Sequence, residues 1–192
     1  PILIGDQCWL KENMNVGTMI NGNDDMSDDG TIEKYCYANV SAYCDMYGGL
    51  YQWDEMMQYV TTEGAQGICP PDWHIPTDEE WKQLEGTVDD TYGYPDPQWD
   101  NIELRGYNCG FKLKTTGGWS GNGNGSDLFG FSARPGGHRT ANGYHYVLES
   151  AAFWTSTEAV SNNAWFRQFL HTSDQIWRNY TVDFAGFSVR CI

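Results

Sequence analysis

The residues of this chain with the clearest chemical potential are six cysteines: Cys8, Cys36, Cys44, Cys69, Cys109 and Cys191. None lies in a CxxC pair, so their spacing predicts neither a zinc site nor a thioredoxin-like redox site. An even set favours three disulfides, and the alternative is six reduced cysteines buried as small apolar side chains. Three disulfides would place the protein in the periplasm, at the cell surface or in the medium.

The other groups that could catalyse a reaction lack the spacing of a catalytic motif. The histidines are dispersed, without an HExxH pattern, at His74, His138, His145 and His171. No GxSxG sequence is present. Loop solvation and helix capping explain the paired carboxylates better than acid and base catalysis does: Asp24/Asp25, Asp28/Asp29 and Glu79/Glu80. We therefore expect no enzymatic activity and no resident cofactor.

A polar loop at residues 21–31 offers oxygen ligands for a hard cation such as calcium. The candidate ligands are Asn23, Asp25, Asp28 and Asp29. Their order does not follow the EF-hand loop, and no glutamate stands at the last ligand position of that loop. A solvated acidic turn is therefore the favoured interpretation, with calcium as the alternative.

Two helices are predicted in the first half of the chain. Apolar and aromatic residues recur at three- and four-residue spacing over residues 47–60, which indicates about four turns of amphipathic helix. Thr77 precedes Glu80 by three residues, the pattern of an N-cap, so a second helix is expected to begin near residue 78. Trp81 and Leu84 give that helix a buried stripe. A short extended segment separates the two helices.

Composition limits the classes of protein that fit. The 192 residues suffice for one domain, with loop insertions near 18–46 and 87–127, and the 22 glycines indicate many turns. The formal net charge of −15 repels polyanions, so nucleic acid is an improbable partner. No apolar run approaches the length of a membrane span. The glycine-rich residues 120–127 lack the GK[ST] ending of a phosphate-binding loop and are interpreted as a turn-rich insert.

The C-terminal residues 151–192 alternate apolar and polar side chains and predict a β-meander. Trp154 and Trp165 are assigned to its core. Within it, aromatic side chains with polar neighbours are typical of a binding surface, because rigid rings offer contact area at small entropic cost. The candidate binding residues are Gln168, Leu170, His171, Asp174, Trp177, Arg178, Tyr180, Asp183 and Phe184. The alternative for Trp177 is a place on the core face of the sheet.

Several ordered, aromatic-rich motifs resemble a known bacterial family over nearly the whole chain. They are QCWLKENMNVG (7–17), the run YGGLYQWDEMMQYVTTEGAQGICPPDWHIPTDEEWKQL (47–84), FSARPGGHR (131–139), AAFWTSTE (151–158), NAWFR (163–167) and GFSVRC (186–191). The chain resembles the Fibrobacter succinogenes major paralogous domain. This resemblance implies an α+β, C-type-lectin-like fold, with two short helices packed on small antiparallel sheets, long loops and disulfides. It also implies distant kinship with sulfatase-modifying, formylglycine-generating enzymes, but no settled activity.

The lectin-like layout implied by the resemblance favours a disulfide between Cys69 and Cys191. Cys36 and Cys44 bracket a short turn and are expected to pair locally. Elimination then leaves Cys8 to pair with Cys109. The close cysteine pair of the sulfatase-modifying enzymes has no counterpart here, and the EPN, QPD and WND triplets of calcium-dependent sugar binding are missing.

The diverse side chains of residues 166–186 look like those of the variable proteins of diversity-generating retroelements. That likeness implies a secreted or cell-surface module that binds a protein or carbohydrate ligand through a variable C-terminal surface. The first alternative is a structural or adhesive surface domain without a dedicated small-molecule site, which contacts any ligand through its acidic loops. The second is a sulfatase-modifying-like enzyme.

Overall fold

A four-stranded antiparallel sheet is the largest element of the computed structural model, which describes residues 1–192. The strands are β1 (Ile2–Ile4), β2 (Gln7–Trp9), β3 (Thr18–Met19), β4 (Glu33–Lys34), β5 (Glu103–Arg105), β6 (His138–Thr140), β7 (Gly143–His145), β8 (Ser150–Val160), β9 (Asn163–Leu170) and β10 (Ile176–Val182). The large sheet has the order β5-β10-β9-β8, and the other strands form three two-stranded pairs. The α-helices are α1 (Ser41–Tyr47), α2 (Trp53–Met56), α3 (Asp78–Val88) and α4 (Cys109–Leu113).

The predicted C-terminal β-meander is confirmed for residues 150–182 as the hairpins β8-β9 and β9-β10, whereas residues 183–192 form isolated β-bridges but no strand. Arg178 lies opposite Arg167, and Trp177 lies opposite Gln168. Because side chains alternate along a strand, these two pairs point to opposite faces of the sheet. We call them the α3 face, which carries Arg167 and Arg178, and the opposite face, which carries Gln168 and Trp177.

Each face of the sheet has its own hydrophobic core. The α3 face packs Phe153 and Phe169 against Trp81 of the helix, with a distance of 5.6 Å between the ring centroids of Trp81 and Phe153. The opposite face packs Trp154 and Phe166 with residues from α2 and from the C-terminal tail. The sheet is therefore covered on both sides over much of its area, which explains why residues 150–156 of β8 are all buried.

The predicted first helix over residues 47–60 is wrong. Helix α1 ends at Tyr47, and the chain turns at Gly48, whose φ of 86° favours glycine. Leu50 and Tyr51 then form β-bridges with two distant segments. Between residues 48 and 60, only the four residues of α2 are helical. The apolar spacing arises from extended pairing, which buries both side chains without a helical period.

The predicted second helix is confirmed as α3. The Thr77 hydroxyl accepts a hydrogen bond from the Glu80 backbone N–H, and the Glu80 carboxylate accepts one from the Thr77 N–H. This capping box satisfies two backbone donors at the helix start. Trp81 and Leu84 are fully buried, as the stripe indicates. The segment before α3 is extended but forms no strand, and His74 exchanges two backbone hydrogen bonds with Ile192.

Two of the three predicted disulfides are present. Cys36 bonds to Cys44, and Cys69 bonds to Cys191 across 122 residues, a loop for which the chain-entropy model gives roughly 4 to 5 kcal/mol of stabilisation. The pairing of Cys8 with Cys109 is wrong, because both are free cysteines. Cys8 points to solvent from β2, between two buried neighbours, whereas the Cys109 side chain is buried at the start of α4.

A buried network of charges ties α3 to the sheet. The Asp78 carboxylate binds the guanidinium groups of Arg167 at 2.7 Å and Arg178 at 2.8 Å. Two turns further along α3, the buried Glu85 carboxylate binds Arg105 and Arg167. The candidate binding residue Arg178 is buried in this network, since only 5% of it is exposed and its guanidinium stacks 3.6 Å from the Trp165 ring centroid. Trp165 itself is half-buried beneath this guanidinium.

Asp78→Asn is expected to lower the free energy of unfolding by about 3 to 5 kcal/mol, because it leaves two buried guanidinium groups without their shared carboxylate. The arginines hold the pKa of Asp78 below its usual range, against the opposing effect of burial. Its stabilisation is therefore present above the unfolded pKa and fades as the pH falls below about 4. Urea denaturation with the disulfides intact measures both effects.

The matched control is Asp100→Asn, which removes an exposed partner of Lys82 and is expected to cost less than about 1 kcal/mol. Equal losses in the two variants at pH 7 would contradict a network that depends on burial.

Alkylation of the native protein is expected to modify Cys8 and leave Cys109 unmodified until the chain unfolds. Cys8 is exposed, whereas burial raises the pKa of the Cys109 thiol well above its usual value, with smaller contributions from Glu85 and Asp89. Intact mass with and without denaturant measures the number of labels. A mass that corresponds to three disulfides would contradict this assignment.

Candidate ligand-binding site

Three of the nine candidate binding residues converge on one cleft of about 280 Å³. Gln168, Leu170 and His171 lie at the end of β9 and just beyond it. Four residues that were not predicted complete the lining: Tyr146, Glu149, Ser150 and Thr172. The cleft therefore forms where the start of β8 meets the end of β9.

The pairing of β8 with β9 sets the shape of this cleft. Leu170 lies opposite Ser150 in the ladder, and the His171 N–H donates to the Glu149 carbonyl oxygen. The Gln168 side-chain amide donates to the Ser150 hydroxyl at 2.7 Å. Gln168 is therefore held in one orientation, with its amide oxygen left free of protein partners.

The glycine-rich insert packs against His171. A Cβ atom at Gly123 would lie 2.3 Å from the His171 carbonyl oxygen, so only glycine fits this close approach. The Ser120 hydroxyl lies 3.4 Å from His171 Nδ1, and the Ser120 N–H donates to the Leu148 carbonyl oxygen. The insert thus forms a wall behind the imidazole.

An apolar strip continues the cleft across the opposite face of the sheet. Trp177 lies beside Gln168 on β10, and Leu104 lies beside Trp177 on the edge strand β5. Trp177 is half-buried against the core of this face, whereas Leu104 is 37% exposed. Tyr146, at the rim of the cleft, is 57% exposed. We call this surface the Gln168 face, and its residues are Leu104, Tyr146, Gln168, Leu170, His171 and Trp177.

The Gln168 face combines ring surfaces with both kinds of hydrogen-bonding group. Trp177 and Tyr146 offer apolar rings, which stack on sugars and on apolar side chains. The Gln168 amide and the Glu149 carboxylate offer acceptors, and the His171 imidazole offers a donor or an acceptor according to its tautomer. This set can bind hydroxyl and amide groups.

The remaining candidate residues lie elsewhere. Arg178 belongs to the charge network, and Tyr180 packs edge-on against Trp165 on the α3 face. Asp174 is exposed in the connection between β9 and β10, where its carbonyl oxygen accepts from the Phe111 N–H. Asp183 and Phe184 line a second cleft of about 400 Å³, together with Gln52, Asp54, Asn162 and Val182.

The second cleft is acidic. Burial raises the pKa of Asp183 to about 6, with smaller contributions from Asp54 and Glu158. Burial also raises the pKa of Asp54. The Asp183 Oδ1 atom is buried without a hydrogen-bond partner. The cleft therefore gains negative charge as the pH rises through about 6, and it disfavours anionic ligands at neutral pH.

The four candidate calcium ligands do not converge on one point. The Asp25 carboxylate accepts from Gln52 and lies 3.7 Å from Arg139, and the Asp29 carboxylate accepts from the Thr31 N–H. No group of three or more histidine, cysteine, aspartate or glutamate side chains is arranged to hold a metal ion. The Asp25 and Asp29 carboxylates therefore stabilise the loop and its contact with Gln52, the residue before α2.

The match to a family model covers almost the entire chain. The model of the Fibrobacter succinogenes major domain matches residues 2–192. The chain belongs to this family. No curated protein and no solved structure matches the chain significantly. None of the helices of this Fibrobacter succinogenes major domain has the length and apolar character of a membrane span. Its two disulfides indicate an oxidising compartment outside the cytosol.

Sequence reasoning missed the part of the Gln168 face that precedes the meander. Tyr146 and Glu149 lie in the turn before β8, and Tyr146 has a positive φ of 60°. A bulky residue in that backbone conformation is uncommon, but the conformation has no signature in the sequence. The aromatic pattern around residues 143–148 was the one available signal.

Proposed function

We propose that this Fibrobacter succinogenes major domain is an extracytoplasmic binding module with a C-type-lectin-like fold, which holds a protein or glycan ligand on its Gln168 face. The observation that carries the proposal is the continuity of the 280 Å³ cleft with the apolar strip of Trp177 and Leu104. The lectin-like fold rests on the family resemblance and on the disulfide that ties Cys69 to the C-terminal tail.

The size of the cleft favours one protruding unit of a larger ligand. Pockets that enclose a whole small molecule usually measure about 300 to 1,000 Å³, and this cleft lies just below that range. A single sugar ring or one side chain would fill it. The neighbouring Trp177 ring would then contact the next unit of the ligand, since exposed aromatic rings supply rigid contact area.

We propose a module without catalysis, and the state of the cysteines supports this choice. Cys191 is bonded to Cys69, so it has no free thiol. Cys109 is buried, and its raised pKa keeps it protonated. Neither residue supplies the thiolate that cysteine chemistry of the sulfatase-modifying type requires.

Trp177→Ala and Tyr146→Ala are each expected to weaken ligand binding by about tenfold or more, because buried aromatic anchors dominate interfaces of this kind. The matched control is Tyr180→Ala, which removes a 45% exposed ring from the same strand as Trp177 but from the α3 face. Arrays of glycans and of surface proteins, probed with and without calcium, identify the ligand. The same arrays measure how strongly each of the three variants binds it.

Retained binding in Tyr180→Ala with loss in the other two variants supports the Gln168 face. Equal loss in all three folded variants would contradict it. Binding that survives all three substitutions but requires calcium would transfer the site to the acidic loops, which is the structural or adhesive alternative. If the folded wild-type protein binds nothing on either array, that result would also favour the structural or adhesive alternative.

We further propose that the Gln168 face is the variable surface implied by the resemblance to retroelement variable proteins. Related copies are expected to differ at Gln168, Leu170, His171 and Trp177 and to keep Arg178, because its guanidinium is bound inside the charge network. Sequencing of such copies tests this. Substitutions as frequent at Arg178 as at Trp177 would contradict it.

A further inference from the structure

The positive charges of this acidic protein are unevenly paired. Of its 11 lysines and arginines, six form ion pairs with carboxylates: Lys82, Arg105, Lys112, Arg139, Arg167 and Arg178. Lys114 holds two backbone carbonyl oxygens under the β9-β10 connection. The other four unpaired cations are concentrated around one pocket, although the formal net charge of the chain is −15. They are Lys11, Lys34, Arg134 and Arg190.

This pocket, which we call the Arg190 pocket, has a volume of about 100 Å³. Lys11, Arg134 and Arg190 line it, and Lys34 donates to Asn15 on its rim. Two exposed acidic residues, Glu12 and Asp45, also belong to the lining. The lining therefore has more positive than negative groups, the reverse of the chain as a whole.

Arg190 is the unusual member, because only 1% of it is exposed and no carboxylate lies within ion-pair distance. Its hydrogen bonds go to neutral acceptors, namely the Asn13 amide oxygen and the carbonyl oxygens of Leu10 and Phe131. These bonds use four of its five N–H groups, so one N–H on Nη2 remains free. A buried charge without a counter-charge is costly, and an anion beside it would offset that cost.

Burial and the neighbouring Arg134 lower the pKa of Arg190 to about 9, while Asp127 and Glu12 act in the opposite direction. Both carboxylates act on Arg190 through their charge and not through a hydrogen bond.

Hydrogen bonds and a disulfide connect the walls of the pocket. The Asn13 amide donates to the Tyr47 carbonyl oxygen, and Arg134 donates to the Met46 carbonyl oxygen, both at the end of α1. The disulfide from Cys44 fixes α1 itself. A Cβ atom at Gly48 would lie 2.5 Å from the Asn13 Cβ atom, so the turn after α1 packs directly on the segment that holds Arg190.

We infer that the Arg190 pocket binds one small oxyanion, a carboxylate or sulfate group, between the Arg190 and Arg134 guanidinium groups and the Lys11 ammonium. Guanidinium groups match the planar geometry of these anions. The volume is about three times the ~30 Å³ that one water occupies in the liquid, which is enough for one such group. The Gln168 face shares no lining residue with this site.

Isothermal titration calorimetry at constant ionic strength tests the inference with sodium acetate, sodium sulfate, glucuronate and uncharged glucose. One anion per chain is expected to bind with a Kd of about 1 mM, and glucose is expected not to bind. Arg134→Gln and Lys11→Gln replace exposed side chains and are expected to weaken binding by about tenfold.

Two controls separate this site from other effects. Lys112→Gln removes one positive charge that pairs with Asp90 and is expected to bind the anion like the wild type. Trp177→Ala is also expected to bind the anion like the wild type. The anion site can therefore be correct even if the Gln168 face binds no ligand. Tighter binding of glucuronate than of acetate would identify a sugar-borne group, and similar binding of both would identify a free anion. Absence of saturable binding, or unchanged binding in Arg134→Gln, would overturn the inference.

Discussion

The buried charge network between α3 and the sheet is the constraint on which the rest of the structure depends. Both of its carboxylates, Asp78 and Glu85, belong to one helix, while its three arginines come from three different strands, β5, β9 and β10. One helix therefore fixes the relative position of three strands. Because removal of one partner leaves charges buried without compensation, any other register of these strands is strongly disfavoured.

The same network decides which side chains are available for binding. Strand alternation places Arg178 and Trp177 on opposite faces, and ordinary preferences would send the charged residue to solvent and the aromatic one to the core. Arg178 departs from this preference, because Asp78 covers it on the α3 face. Trp177 is consequently left half-buried, beside Gln168 and an exposed Leu104. The surface that we propose for ligand binding therefore depends on the charge network.

Local interactions could be predicted from the sequence, and distant ones could not. The capping box of α3 joins residues three apart, and the strand alternation of the meander repeats every two residues, so both leave a visible pattern. The burial of Arg178 depends on a carboxylate 100 residues away. The elimination argument for Cys8 and Cys109 failed because nothing requires every cysteine of an oxidised protein to pair. Within the candidate site, the residues on β9 were predictable, whereas Tyr146 depended on a tertiary contact.

The N-terminal and C-terminal segments are joined by residues that neighbour the lining of the Arg190 pocket. The C-terminal tail is bound to the N-terminal segment by backbone hydrogen bonds at Leu10 and Met14 and to Cys69 by a disulfide. Arg190 lies between these attachments, and its guanidinium stacks 4.4 Å from the Phe131 ring centroid. An anion that neutralises Arg190 would bind only the folded chain, since the unfolded chain has no pocket. Its binding free energy would therefore add to the stability of the fold, in the place where a disulfide and a buried charge already meet.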